Sequence, residues 1–573
     1  MNDHSAHPHD EPSSGDGGAS AQAEPPDSHE HAIQYFLPGR VMVQINHHAE
    51  EDPRKLADLI DQTVRDKKLG FPEKPIPGFE GFNRSLIKPV QLGSILTFAR
   101  REDPRPAFSI VPVELNSHRQ DALIATLQTI YNRLNLKEGP YRFPQEQEKE
   151  IYWQAVAPNW LLSSGGHGAP HPPSPGSWPL IRKARKATDW QFSLLDKDTG
   201  KKLPLPYAEG AKVDVAILDT APLHTDLDEA YETWYDKNEL IDRLLKPEPN
   251  RELVLDANIY AEIELTDCSL ARHKYRMQDH GLFIAGEIAS IAPESTLHLY
   301  KVFTSYGSAS TFTLAQGLLR VLSDLRNGEL ETPLIVNFSG GLAVPEHYDP
   351  DFHPDFPLEF QDPVTLQHMQ TSLRALFEEL ANQDQVIVVA SAGNDSDPEK
   401  GRAPARLPAA YERVIGVGAM PRVSGPQNSP IPTASYSNLA DKPPSDGYVT
   451  LGGEPRSGNG ILGIYTSETP YYVKKQGEIH QPGERPPDPQ EPTRDRLRYN
   501  TIHNNPAGSG EWAGTSQAAP IVTGLLARWC SEQVSKGVPI TLEDARAALD
   551  NLSQGLTTAQ DEHVILVAQG PPP

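Results

Sequence analysis

Two short runs, KVDVAIL (212–218) and VIVVA (386–390), constrain the fold more than any other feature of the 573-residue chain. Both are apolar, rich in β-branched residues and of strand length. Asp219 follows the first run at once, and the turn-prone Ser391-Ala392-Gly393-Asn394 follows the second. Polar residues therefore fall at the carboxyl ends of strands, the edge where parallel α/β sheets bind their ligands.

Two further segments supply the chemistry that such an edge would need. His280-Gly281 opens the apolar helical stretch LFIAGEIASI, and Ser516 follows Gly514-Thr515 to open the helix QAAPIVTGLLARW. Ala518, Ala519 and Gly524 allow that helix to pack closely, and Pro520 is tolerated because first-turn N–H groups lack intrahelical partners. A serine at a helix N-terminus gains from the dipole, and its own N–H can face an anion. A hydroxyl is a poor nucleophile until a base takes its proton. An imidazole does so near neutral pH, and a carboxylate fixes its tautomer. Preorganised donors must then face the oxygen that becomes negative. Asp219, His280, Ser516 and Asn394 make up that set.

With these segments in the order Asp, His, Ser, residues 206–573 resemble the subtilisin-like (subtilase) serine proteases. IAPESTLHLYKVF (291–303), NFSGG (337–341), RLPAAYERVIGVGAM (406–420) and ASYSNLA (434–440) carry the resemblance further. It implies a three-layer α/β/α fold with a mainly parallel sheet, and endopeptidase activity through an acyl-enzyme. It also implies that Ser339, Gly340 and Gly341 pair with the substrate backbone as an added strand. Ser391, Ala392 and Gly393 would line the pocket for the residue before the cut, with Asp395 at its rim favouring a basic residue there. His224 and Asp226 echo the segment after the catalytic Asp. The departures are Ala221 for a usual Gly, Leu282-Phe283 for Thr-His, Gln517 for Met, and LGGE (451–454) for an Ala-Pro-Gly segment. None touches a proton-transfer atom; they point to altered specificity. A catalytically silent peptide-binding module on the same fold is the alternative. An α/β-hydrolase esterase is excluded, because its nucleophile elbow needs a second Gly and its chain order is Ser, acid, His.

Many relatives bind structural Ca²⁺, yet no oxygen-rich loop here has ligand spacing and Asp226 alone is not a site, so no metal or cofactor is expected. Fifty-two basic against seventy-seven acidic residues give a net charge of −25, which argues against nucleic acid or an anionic membrane as partner and leaves a protein or peptide substrate. Neither a signal peptide nor an apolar run near 18 residues is visible, and two cysteines do not make a disulfide framework, so a cytoplasmic protein is expected. Cys530 lacks a matched His and reads as packing.

Residues 1–32 hold seven acids, five histidines and no Lys or Arg, a composition that stays solvated and disordered. Residues 33–160 read β-α-β-β-α, a small α+β domain that is either propeptide-like, acting in cis as inhibitor or chaperone, or a permanent accessory unit. IYWQAVAPNWLL (151–162) is apolar and aromatic enough to dock on a domain, and 161–205 contains the Pro/Gly-rich linker sequence GGHGAPHPPSPGSWP. Three long stretches, 228–252, 345–360 and 474–506, lengthen the catalytic domain, the last two being expected to wall the cleft.

Overall fold

The computed structural model describes residues 36–47, 52–65, 91, 95–98, 107–116, 120–143, 151–164, 180–181, 187–207 and most of 210–570; the larger gaps there are 257–276, 351–355, 442–446, 455–459, 474–495 and 500–504. The acidic segment 1–32 lies outside the described residues, and residues 33–573 form one compact unit.

Before the parallel sheet in chain order, strands buried along most of their length build an antiparallel sheet. β1 (Phe36–His47) lies between β3 (Ala107–Glu114) and β4 (Tyr152–Ser164), with β2 (Leu96–Phe98) beyond β3. α1 (Pro53–Arg65) and α2 (Gln120–Arg133) place Leu56, Leu59 and Ile60, and Leu123, Leu127 and Ile130, in one shared core. Those spacings of three and four residues are the apolar stripe of an amphipathic helix.

The second sheet is wholly parallel. Its strands are β5 (Asp214–Asp219), β6 (Leu253–Asp256), β7 (Thr296–Lys301), β9 (Leu334–Phe338), β11 (Val386–Ser391), β12 (Val414–Met420), β13 (Tyr448–Leu451) and β14 (His563–Val564). Two short strands outside it are β8 (Ser308–Ser310) and β10 (Gly340–Leu342). The order across the parallel sheet is β6-β7-β5-β9-β11-β12-β13-β14. The chain builds leftward from β5 and then restarts rightward at β9, so the topological switch point lies between these two strands. Alternate residues feed two cores. Val215 and Ile217 face α3 (His280–Ile291) and α4 (Thr515–Lys536), whereas Ala216 and Leu218 face the helices Thr311–Asn327 and Thr371–Ala381. That alternation makes the layers α/β/α.

The boundary expected at residue 160 falls inside β4, because the strand's apolar run continues through Leu161 and Leu162, both buried. Its last residues pair antiparallel with β8 on one side (Leu161 with Ser310, Ser163 with Ser308) and with β10 on the other (Ser163 with Gly341, Ser164 with Gly340). Beyond it, the expected linker is structured from residue 187 onward. Trp190, Phe192 and Leu194 are buried in the core that covers Val215 and Ile217 of the parallel sheet, and the strand Phe192–Leu195 pairs with Val567–Gln569.

The stretch 345–360, expected to wall the cleft, packs its described aromatic residues against β4. Phe356 and Phe360 enclose Trp160 together with Phe36, at centroid distances of 5.9–6.2 Å from its ring, and Trp160 donates its indole N–H to Met369 O at 3.0 Å. It is an aromatic seat for β4. Of the stretch 474–506, Arg496–Tyr499 pairs with Pro470–Val473, while 474–495 lies outside the described residues.

Candidate active site

Asp219 ends β5 next to the switch point, and both it and His280 are fully buried. Asp219 Oδ1 accepts from His280 Nδ1 at 2.8 Å and from the Thr220 N–H at 2.6 Å. A carboxylate oxygen only accepts, so Nδ1 carries the proton and Nε2 is left as the acceptor. Thr220 Oγ1 ties the two segments, bonding Met277 O and Gln278 O at 3.0 Å and accepting from the Gly281 N–H at 3.1 Å. A Cβ on Gly281 would lie 2.2 Å from Thr220 O and 3.0 Å from Asp219 Cβ, which is why glycine follows the histidine.

Two residues that sequence reasoning missed hold this histidine from behind. Asp279, at the N-cap of α3, is fully buried, and its Oδ2 accepts from the Thr466 N–H, from Thr466 Oγ1 at 2.8 Å and from the Ser467 N–H at 2.6 Å. Burial nonetheless raises its carboxyl above the usual range. Trp512 sets its ring edge-on to the imidazole, 5.0 Å away at 80°, and Phe283, one of the departures in sequence, packs on the same indole at 5.5 Å. The only local signal was an Asp immediately before the His-Gly pair.

Ser516 sits in the first turn of α4 at 1% exposure. Its Oγ donates to Ser339 O at 3.2 Å, and Ser339 Oγ lies 3.1 Å from Ser516 O and 3.0 Å from Asn337 Oδ1. His280 Nε2 has no hydrogen-bond partner among the described residues, so the hydroxyl–imidazole bond of the expected triad is not made in this state. Asp219 and His280 are thus joined directly, while Ser516 opens α4, which packs against α3, and is held by Ser339 just beyond β9.

Asn394 accepts at Oδ1 from the Thr515 N–H and from Thr515 Oγ1, both at 2.9 Å. Because the Thr515 N–H is a donor, the amide oxygen must point there, which fixes the direction of Nδ2. A Cβ placed on Gly514 would be 2.8 Å from Gln517 Oε1, 3.2 Å from Asn394 Nδ2 and 3.7 Å from the Ser516 N, so the Asn394 amide lies beside the start of the serine's helix. The Gly393 N–H donates to Thr515 Oγ1 at 3.1 Å and Gly393 has φ of +109°, a left-handed backbone that glycine alone adopts without strain. Ser391 closes β11, and Ala392 O accepts from the Arg406 N–H at 2.8 Å.

Asp395 gives both carboxylate oxygens to Arg406, with Nε at 2.5 Å and Nη2 at 2.6 Å, and accepts a third bond from Asn438 Nδ2 at 2.9 Å. Its charge is already neutralised, which removes the reason to expect selection of a basic residue. His224 Nδ1 lies 3.0 Å from Arg251 Nη1, and Asp226 caps its own helix through the Leu223 N–H at 3.2 Å. Cys530 is buried, and burial pushes its thiol up, away from reactivity. Among the described residues no group of three or more His, Cys, Asp or Glu side chains could hold a metal ion, and no helix is long and apolar enough to cross a membrane.

No curated protein matches the chain. Similar solved structures include a mutant of the protease domain of PatA (19% identity, 63% of this chain and 92% of that chain, TM-score 0.35). A lanthipeptide protease (18%, 62% and 84%, TM-score 0.35) and the prenylagaramide maturation protease PagA (17%, 60% and 84%, TM-score 0.32) are others. The family model described as "Subtilase family" matches residues 210–565, well over half of the sequence and all four segments of the site. The chain belongs to the subtilase family of serine proteases.

Proposed function

We propose that the chain is a serine endopeptidase made in a self-restrained form, its own strand β4 lying where a substrate would lie. In the reaction Ser516 Oγ attacks the scissile carbonyl while His280 Nε2 takes its proton. The imidazolium, steadied by Asp219, then gives that proton to the leaving amine, and water releases the acyl group by the same route. The Asn394 Nδ2 and Ser516 N–H groups face the oxyanion.

The observation that carries this reading is the three-stranded ribbon β8-β4-β10. Residues 161–164 run between two edge strands, and β10 follows directly on Ser339, whose carbonyl receives the Ser516 hydroxyl. An extended peptide held by main-chain bonds on both sides is how a protease presents a bond to its nucleophile. Ser516 is buried to 1%, and on this reading β4 must leave before a second peptide takes its place between β8 and β10. This supports the cis-inhibitor role for the N-terminal domain over that of a permanent accessory.

The absent His280–Ser516 bond favours a second reading, a silent peptide-binding module. Catalytic hydrogen bonds of this kind are often long or misaligned until substrate is present, which keeps the protease reading ahead. A fluorophosphonate separates the two: it should label the full-length chain, and Ser516→Ala should abolish labelling. A folded wild-type chain that never labels would refute the protease reading.

A further inference from the structure

We infer that Arg406 closes the pocket for the residue before the scissile bond, so that the enzyme cuts after small, uncharged residues. This rests on the endopeptidase reading and names its substrate class. The pocket walls are the strand carrying Gly341 and the turn carrying Ala392 and Gly393. Both stand beside the nucleophile: Gly393 donates to Thr515 Oγ1 at 3.1 Å, and β10 follows Ser339, which bonds Ser516.

The side chain of Arg406 runs between those walls. A Cβ on Gly341 would sit 2.7 Å from Arg406 Cδ and 3.1 Å from its Cβ; a Cβ on Gly393 would sit 3.0 Å from both Cγ and Cδ. Glycines on both sides are therefore the space that the arginine stem occupies, and little is left for an incoming side chain. The guanidinium is committed as well. Nε and Nη2 grip Asp395, Nη1 bonds Leu342 O at 3.3 Å, and Asn438 braces the Asp395 carboxylate and its N–H, the latter at 2.7 Å. Arg406 and Asp395 side chains are only 10% and 11% exposed. Swinging the arginine out would strand a buried carboxylate, so the plug is held in place. Its charge is cancelled inside the pair, which removes any pull on an acidic substrate side chain as it removes Asp395's pull on a basic one.

The test is a peptide-library digest by the full-length chain with terminal sequencing, run beside fluorophosphonate labelling. Wild type should cut after Gly, Ala or Ser at least about tenfold faster than after Phe or Leu, the span over which a pocket of fixed volume discriminates. The double variant R406A/D395A, which leaves no unpaired carboxylate, should gain about tenfold or more in kcat/KM on Phe- or Leu-ending peptides relative to Ala-ending ones, with labelling used only to show that its site is folded. Equal cleavage after Ala and Phe by wild type would overturn the proposal, as would preference for an acidic residue, or a labelled double variant with the wild-type profile. If the double variant fails to fold, the wild-type profile decides. Absence of labelling in wild type would sink the protease reading itself, and this proposal with it.

Discussion

Replacing Trp160 with Ala should unlock the active site without touching it. The ring is fully buried and bridges two regions: Phe36 lies on the N-terminal sheet, while Phe356, Phe360 and the Met369 carbonyl belong to the protease. Truncating a buried Trp costs about 3–5 kcal/mol in total. The part that holds β4 down comprises two aromatic pairs, each about 0.5–1.5 kcal/mol, and one hydrogen bond near 1 kcal/mol, or about 2–4 kcal/mol together. At about 1.4 kcal/mol per factor of ten, the population with β4 released should rise about 30- to 700-fold. The rate at which a fluorophosphonate labels Ser516 reports that population as long as opening and closing are fast relative to labelling. Leu358→Ala, at an 80% exposed position in the same stretch, serves as control and should leave the rate within about twofold. A folded Trp160→Ala chain that labels no faster than wild type would show that β4 does not guard the serine.

Other consequences follow from individual contacts. Asn394→Ala should lower kcat about 10²–10³-fold, the loss that one oxyanion donor costs in subtilisin, with KM little changed; a near-normal kcat would assign the oxyanion to other donors. Gly281→Ala forces a Cβ to within 2.2 Å of the Thr220 carbonyl, so it should destabilise the fold by about 1–3 kcal/mol in denaturant titrations and cut activity by displacing His280; unchanged stability would show that the α3 entry is pliable. Glu287, fully buried on α3 with neither carboxylate oxygen hydrogen-bonded among the described residues, has its pKa pushed well above the usual range by burial. Between the usual carboxylate range and that raised value the carboxyl is neutral in the fold and charged in the unfolded chain. Stability is therefore present in full below the usual carboxylate range and lost as pH climbs toward the raised value, by up to about 1.4 kcal/mol per pH unit. Glu287→Gln should flatten that slope in thermal melts taken from pH 4 to 8; parallel curves for variant and wild type would contradict it.

The protease half of the molecule was legible because its parts are local. The apolar runs at 212–218 and 386–390 mark strands by residue type alone, and the polar residue at each end needs no distant partner to be noticed. The His-Gly and Gly-Thr-Ser starts of α3 and α4 are read the same way. The contributions of Asp279 and Trp512 were not legible. Asp279 is bonded to Thr466 and Ser467, almost two hundred positions away, and Trp512 meets His280 only because its strand Ser509–Trp512 pairs with Ile461–Ile464, which packs on α3. The stretch 345–360 read as a cleft wall because its position beside a substrate motif was visible, whereas its partner Trp160 was not.

Residue pattern alone determined the strand-end placement of Asp219 and the helix-start placement of His280 and Ser516, since periodicity and local backbone preference act over a few residues, while the layer architecture came from the family resemblance. Tertiary structure decided that Asp395 is spent on Arg406, that β4 threads between β8 and β10, and that Ser516 rests on Ser339 instead of His280. Hydrogen-bond partners and filled volumes are set by which surfaces meet, and that is settled only when elements far apart in the chain pack together.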